Sequence, residues 1–220
     1  IQNISDWSLF MSKIERFFYE MKFRKIAFIG VGVSNTDLIK LFLKKGIQVT
    51  ICDRKDPDKM GDVYNQLKSL GAEFCLGDAY LDTLTDFDVV FRSPGMYFNN
   101  PKLADARKKG VVITSEMEVF FDLCPCKIYA VTGSDGKTTT TTIIAGLLEK
   151  SGKKVYKGGN IGKALLPLIE EINENDAAVV ELSSFQLISM RKSPDVAVIT
   201  NIAPNHLDVH GTMEEYIESK

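Results

Sequence analysis

Apolar residues along this chain follow two alternating rhythms. Short runs near Lys25–Ile29, Gln48–Cys52, Asp88–Phe91 and Val111–Ile113 are rich in β-branched residues and almost unbroken in hydrophobicity, as strands covered on both faces require. Between them, Thr36–Lys45, Pro57–Leu70 and Pro101–Lys109 carry apolar positions at helical spacing, with Gly46, Gly71 and Gly110 placed to end each helix. That alternation predicts parallel βαβ units. Ahead of it, the segment from Ile4 to Met21 has a mostly helical rhythm and predicts a docking helix.

A second series begins near Cys126. It predicts strand Lys127–Val131, helix Lys137–Ser151, strand Val155–Tyr156, helix Lys163–Ile172, and strands Ala177–Glu181 and Val196–Thr200. A boundary near Leu123–Cys126 follows, with one α/β domain over residues 1–124 and the front part of another over 125–220. Thr212–Lys220 reads as a helix interrupted before its C-cap, so the chain is expected to stop inside a domain.

Composition narrows the classes of function. The 220 residues are 45% hydrophobic and 25% charged, with a formal net charge of −2. That is ordinary globular make-up. Lys and Arg are scattered rather than gathered in a stripe, so no nucleic-acid partner is expected. The longest apolar stretch, Ile26–Val33, is too short to span a bilayer, and no charged-then-apolar leader opens the chain, which begins at Ile1. Four cysteines without a secretory leader read as reduced thiols, and Cys124-Pro125-Cys126 lacks the further Cys or His that a zinc site needs. A monomer in the cytoplasm, with no membrane partner, is the expectation.

The most informative run is Thr132-Gly133-Ser134-Asp135-Gly136-Lys137-Thr138-Thr139, between a strand and a helix. Glycines at 133 and 136 let the backbone curl so that its N–H groups and the helix N-terminus face an anion. Lys137 would reach the β- and γ-phosphates of ATP, and the Thr138 hydroxyl would ligate Mg²⁺. The usual pattern places a glycine where Val131 stands, so this is a shortened variant. A plain strand-to-helix turn with a surface lysine would explain the glycines alone, but not Gly-Lys-Thr in that setting. Glu181 follows the apolar strand and would emerge at the edge where α/β ligands bind, as a magnesium ligand or as the cap of a helix starting at Ser183.

Near the front, Ile29-Gly30-Val31-Gly32 with Asp53 ending the next strand resembles a Rossmann-like dinucleotide fingerprint, which leaves an NAD enzyme open. Its third glycine, however, is Asn35. Ser93-Pro94-Gly95 reads as a turn after a strand.

Beyond the cradle, Gly158-Gly-Asn-Ile-Gly162, Glu181-Leu-Ser-Ser-Phe-Gln-Leu187, Thr200-Asn-Ile-Ala-Pro-Asn-His-Leu-Asp208 and Tyr216-Ile-Glu-Ser-Lys220 resemble, in order, the motifs of the Mur ligases. The Glu-Leu-Ser-Ser-Phe-Gln-Leu block looks like that of the members that add D-glutamate. The resemblance implies a Rossmann-like UDP-sugar domain, a P-loop ATP domain, and a C-terminal amino-acid-binding domain that is absent here. It implies that ATP activates UDP-N-acetylmuramoyl-L-alanine as an acyl phosphate, which D-glutamate attacks. It assigns ATP to Thr132, Gly133, Ser134, Asp135, Gly136, Lys137, Thr138 and Thr139. Two magnesium sites would fall to Thr138, Glu181, His206 and a Lys220 carbamylated by CO₂. The UDP substrate would fall to Gly32, Val33, Ser34, Asp53, Arg54, Ser93, Pro94, Gly95, Asn160, Ser183 and Gln186. Asp135 replaces the family's frequent Asn, and Asn205 stands where relatives often have an acid. A sister ligase with another amino acid, or a silent nucleotide-binding module, remains an alternative.

Overall fold

The computed structural model describes residues 11–220, so the part of the opening helix expected before Met11 lies outside the described residues. Contacts divide the chain into two units, one reaching Arg92 and including Pro101–Ile113, the other made of Ser93–Asn100 and Thr114–Lys220.

The first unit opens with α1 (Lys13–Met21), which starts at Ser12 because a capping box forms there: Glu15 N–H donates to Ser12 Oγ at 3.2 Å and Ser12 N–H to Glu15 Oε2 at 2.8 Å. Then follow β1 (Ile26–Ile29), α2 (Val33–Lys44), β2 (Val49–Asp53), α3 (Pro57–Met60), α4 (Asp62–Ser69), β3 (Glu73–Leu76), β4 (Val89–Arg92), α5 (Pro101–Lys108) and β5 (Val112–Thr114). Its sheet has the order β3-β2-β1-β4-β5, with β1 pairing in parallel with both β2 and β4. This is the Rossmann-like parallel arrangement that the alternation predicts. All four residues of β1 are buried, as a central strand covered on both faces demands. Phe28 stacks on Phe91 at 4.6 Å, and Phe42 of α2 meets both rings edge-on at 5.5 Å. Burying rings of this size contributes roughly 2–3 kcal/mol each, so this cluster fixes α2 against the sheet.

The single helix expected over Pro57–Leu70 is two, because the backbone leaves helical geometry at Gly61. Strand β3 escapes the sequence pattern because it is an edge strand, partly exposed and opening on Glu73.

The second unit contains α6 (Glu116–Leu123), β6 (Lys127–Thr132), α7 (Lys137–Lys150), β7 (Val155–Gly159), β8 (Ala177–Glu181), α8 (Ser184–Leu187), β9 (Val196–Ile199), α9 (Leu207–His210) and α10 (Met213–Glu218). Its sheet runs β7-β8-β6-β9, again parallel. Helix α6 is not expected from the pattern; Ser115 caps it through Glu118 N–H at 3.2 Å, and its apolar residues are buried. No α-helix forms over Lys163–Ile172. Lys163 bridges Gly158, Pro167 sits in a 3₁₀ segment at Leu166–Glu171, and Glu116 Oε1 accepts the N–H groups of Leu165 (2.8 Å) and Leu166 (2.7 Å). Among the described residues, no helix is long and apolar enough to cross a membrane.

Candidate phosphate and metal site

Strand β6 lies between β8 and β9, so the connections leaving β6 and β8 come together at the carboxyl edge of the sheet, where ligands of parallel α/β sheets bind. The turn out of β6 is tight. Gly133 has φ 140, and a Cβ there would run into Thr200 Oγ1 and come within 3.0 Å of Asn201 O, so no side chain fits. Thr200 and Asn201 grip the turn from β9. Ser134 N–H donates to Asn201 O (3.0 Å), Asp135 N–H to Asn201 Oδ1 (2.8 Å), and Thr200 Oγ1 to Asp135 O (2.5 Å). The buried Ser134 hydroxyl accepts Ala203 N–H at 2.8 Å and meets Tyr216 Oη at 2.9 Å.

Gly136 then caps α7 in left-handed geometry, and the first helical bond is Thr140 N–H to Gly136 O at 3.0 Å. The amides of Lys137, Thr138 and Thr139 therefore sit in a first turn that has no intrahelical acceptors, at the positive end of a 14-residue helix dipole. The Lys137 ammonium folds over the turn and donates to Gly133 O (2.9 Å) and Ser134 O (2.7 Å).

Opposite stands Glu181, 2% exposed, at the end of β8. Its Oε2 accepts the Thr138 hydroxyl at 2.6 Å and its Oε1 accepts Asn160 Nδ2 at 2.8 Å. Asn160 is brought there by Gly159, whose φ is 92 and whose Cβ would run into Glu181 O. A capping role for Glu181 is not needed, because Ser183 and Gln186 form a complete capping box at α8: Gln186 N–H donates to Ser183 Oγ (3.3 Å) and Ser183 N–H to Gln186 Oε1 (3.0 Å). Both side chains expected to touch substrate are thus occupied with the helix start.

Lys220 joins the same cluster. Its Nζ donates to Thr132 Oγ1 and to Gly133 O, each at 3.1 Å, and stands over the Tyr216 ring. Burial and the Lys137 charge push its ammonium down to about 8. His206 lies apart from these contacts: it is an exposed residue in left-handed geometry (φ 54) at the start of α9, with its ring 5.1 Å from Phe185.

A buried relay that sequence patterns do not reveal holds this wall together. His210 Nε2 meets Ser184 Oγ at 2.8 Å, its Nδ1 meets Glu215 Oε1 at 3.3 Å, and Tyr97 Oη donates to the same Glu215 oxygen at 2.8 Å. Phe185 stacks flat on His210 at 5.0 Å. Tyr97, the Ser184–Phe185 pair and the His210–Glu215 pair lie far apart in the chain, so no local spacing could have joined the three.

In the first unit, Gly32, Val33 and Ser34 occupy the start of α2, with Gly32 as its N-cap. Asn35 closes the turn: its Nδ2 donates to Ile29 O and Gly30 O, both at 3.0 Å. Asp53 Oδ2 accepts Val31 N–H (3.3 Å) and its Oδ1 accepts Lys55 N–H (2.9 Å), while Arg54 pairs with exposed Asp78 at 3.3 Å. Asp53, Arg54, Lys55, Lys59 and Asp78 line an open cavity of about 560 Å³. Ser93, Pro94 and Gly95 form a turn closed by Met96 N–H to Ser93 O at 3.0 Å, and contacts group it with the second unit.

The pattern defining the MurD-like N-terminal domain of Mur ligases matches residues 24–115, and that of the Mur ligase middle domain matches residues 131–220. The UDP-N-acetylmuramoylalanine–D-glutamate ligase of Acetivibrio thermocellus is 50% identical over 209 residues, covering 95% of this chain and 45% of the relative. That of Clostridium kluyveri is 52% identical over 200 residues, covering 91% and 44%. The chain therefore spans just under half the length of these curated relatives. Among solved structures, the UDP-N-acetylmuramate-alanine ligase MurC of Thermotoga maritima aligns with a TM-score of 0.51 at 24% identity, covering 89% of this chain and 46% of that one. A UDP-N-acetylmuramate:L-alanyl-gamma-D-glutamyl-meso-diaminopimelate ligase from Neisseria meningitides aligns at 0.52 with 21% identity, over 89% and 67%. These structural likenesses speak for the fold. Two adjoining domain patterns of one family, matched in order, and relatives at half identity along nearly the whole chain establish that it belongs to the Mur ligase family.

Proposed function

We propose that this chain carries the UDP-substrate and ATP-binding portions of a ligase that joins D-glutamate to UDP-N-acetylmuramoyl-L-alanine. The names of its relatives support the substrates. The observation that carries the ATP half is the Lys137, Thr138 and Glu181 cluster at the start of α7, with a hydroxyl-to-carboxylate distance of 2.6 Å.

The donor set fits a hard cation: a Thr hydroxyl and a carboxylate are the oxygen ligands magnesium prefers, and Asn160 orients the carboxylate from behind. Magnesium bound there would neutralise charge on the phosphate oxygens of ATP. Lys137 turns from the two carbonyls it now serves to the β- and γ-phosphate oxygens, and the amides opening α7 face the same anion. Transfer of the γ-phosphoryl group to the substrate carboxylate yields an acyl phosphate, from which the amine of D-glutamate displaces phosphate to leave an amide. Most of the catalysis comes from positioning and charge neutralisation.

Lys220 is assigned the carbamate. Carbamylation requires a neutral amine, and burial beside the Lys137 charge pushes the ammonium down to about 8, which favours the neutral form. Beside Lys137 a protonated Lys220 is repelled, whereas a carbamate is attracted and offers a second metal ligand. His206 would have to turn toward this position to share it. In the first unit, Asp53, Arg54 and the Gly30–Gly32 turn are assigned to the UDP moiety, whose phosphates suit the start of α2.

Titrating UDP-N-acetylmuramoyl-L-alanine and ATP separately into the chain tests the binding half, and both should bind. In the full-length ligase, phosphate release should need the UDP-sugar and D-glutamate together. Amide formation without ATP, or equal turnover with other amino acids, would overturn the assignment.

A further inference from the structure

Cys124 and Cys126 take no part in the cluster described above. Among the described residues both are free thiols, with their sulfurs 3.5 Å apart, and the Cys124 thiol also donates to Cys126 O at 3.6 Å. Cys124 is the C-cap of α6, and its N–H is held by Phe120 O at 2.8 Å. Cys126 is buried and directly precedes β6, the strand that ends in the phosphate turn. A disulfide needs the sulfurs about 2.05 Å apart, roughly 1.5 Å closer than they stand.

No third His, Cys, Asp or Glu joins the pair in a group able to hold a metal among the described residues. We propose that Cys124 and Cys126 form a dithiol site that closes reversibly to an intramolecular disulfide through exchange with a low-molecular-weight disulfide.

Half-buried Cys124 is the attacking thiol and buried Cys126 the resolving one. The Cys124 thiolate attacks one sulfur of the reagent, breaking its S–S bond and releasing one thiol. Cys126 then attacks Cys124 Sγ in the mixed disulfide, releasing the second thiol, which takes up the Cys126 proton. Two electrons pass from the protein to the reagent. The electrostatics divide the roles the same way: the Cys126 hydrogen bond and the Lys192 ammonium lower Cys124, while Cys126 is raised.

The other two cysteines are an internal control. Cys52 and Cys75 are register partners on β2 and β3, but Cys52 is fully buried and burial pushes its thiol up to about 12. Its thiolate is scarce and shielded.

The test uses oxidised glutathione on the folded chain, followed by acid quenching, digestion and mass spectrometry. The peptide holding Cys124 and Cys126 should lose two hydrogens, ahead of any change at Cys52 or Cys75, and dithiothreitol should restore it. Cys126→Ser should stop at a glutathione adduct on Cys124, and Cys124→Ser should leave Cys126 free. Two glutathiones on the wild-type pair, two unreacted thiols after prolonged exposure, or prior closure of Cys52 with Cys75 would each overturn the proposal. The wild-type peptide decides the matter even where a variant fails to fold.

Discussion

Each of the two units places a glycine-containing turn between a buried central strand and a helix, yet the turns are held in different ways. In the first, one amide and one carboxylate close it: Asn35 ties the helix to Ile29 O and Gly30 O, and Asp53 at the neighbouring strand end accepts Val31 N–H. In the second, charged groups from distant segments converge: Lys137 on the turn, Glu181 from β8, and Lys220 from beyond α10. Similar topology thus supports two kinds of site. On the proposed function, the first turn takes a nucleoside diphosphate, and the second, ringed by ionisable groups, serves phosphoryl transfer, where charge must be redistributed.

The largest effect should come from removing charge at the second turn. Lys137→Ala in the full-length ligase should lower kcat about 100- to 1000-fold in a phosphate-release assay, the range for losing one preorganised charge-stabilising donor. Arg54→Ala, at the first unit's cavity, should instead raise KM for the UDP-sugar with kcat little changed. Equal kcat losses in both would erase the distinction. Lys220→Ala should lose most activity, and formate or bicarbonate should modulate that loss if a carboxylate-like group is what position 220 supplies.

Packing separates the turns next. Gly133→Ala drives a methyl into Thr200 at a positive φ and should destabilise the chain by about 2–4 kcal/mol in urea unfolding. Gly32→Ala, with φ −70 and open space around a Cβ, should cost under about 0.5 kcal/mol.

A smaller effect comes from Glu116, a buried carboxylate that accepts two backbone N–H groups. Burial pushes Glu116 up to about 7, against the two bonds from Leu166 and Leu165 that favour its anion. Its folded value lies above its unfolded one, so the folded state binds more protons between about 4.5 and 7. This contribution is fully present below about 4.5 and is lost as pH rises through 7. Glu116→Gln, which keeps the carbonyl acceptor, should flatten that slope and recover on the order of 1–3 kcal/mol at pH 8, read from unfolding midpoints across pH. Asn35→Ala, which removes two hydrogen bonds to the first turn, should cost about 1 kcal/mol.

The linear pattern was informative wherever a feature is local. Buried strands β1, β4 and β8 are nearly continuous apolar runs, and Gly-Lys-Thr after a strand marks the cradle because the required backbone curl and the phosphate-facing groups lie within eight residues. Edge strand β3 and helix α6 were missed, the first because one face and one edge meet solvent, the second because only Ser115 and Glu118 announce it. The helix expected at Lys163–Ile172 gave way to a bridge and a 3₁₀ segment because tertiary partners, Gly158 and Glu116, satisfy its backbone instead.

Sequence alone determined the alternation of strands and helices, the phosphate turn and the family motifs, since each is written in neighbouring residues. Only the tertiary structure decided that Thr200 and Asn201 clamp the turn, that Ser183 and Gln186 are occupied with capping, that Lys220 and Lys137 both donate to Gly133 O, and that His210 joins Ser184 to Glu215. The physical reason is the same in each case. These are hydrogen bonds and charge interactions whose strength depends on burial and on angstrom-scale distances, and the packing of parallel strands sets both.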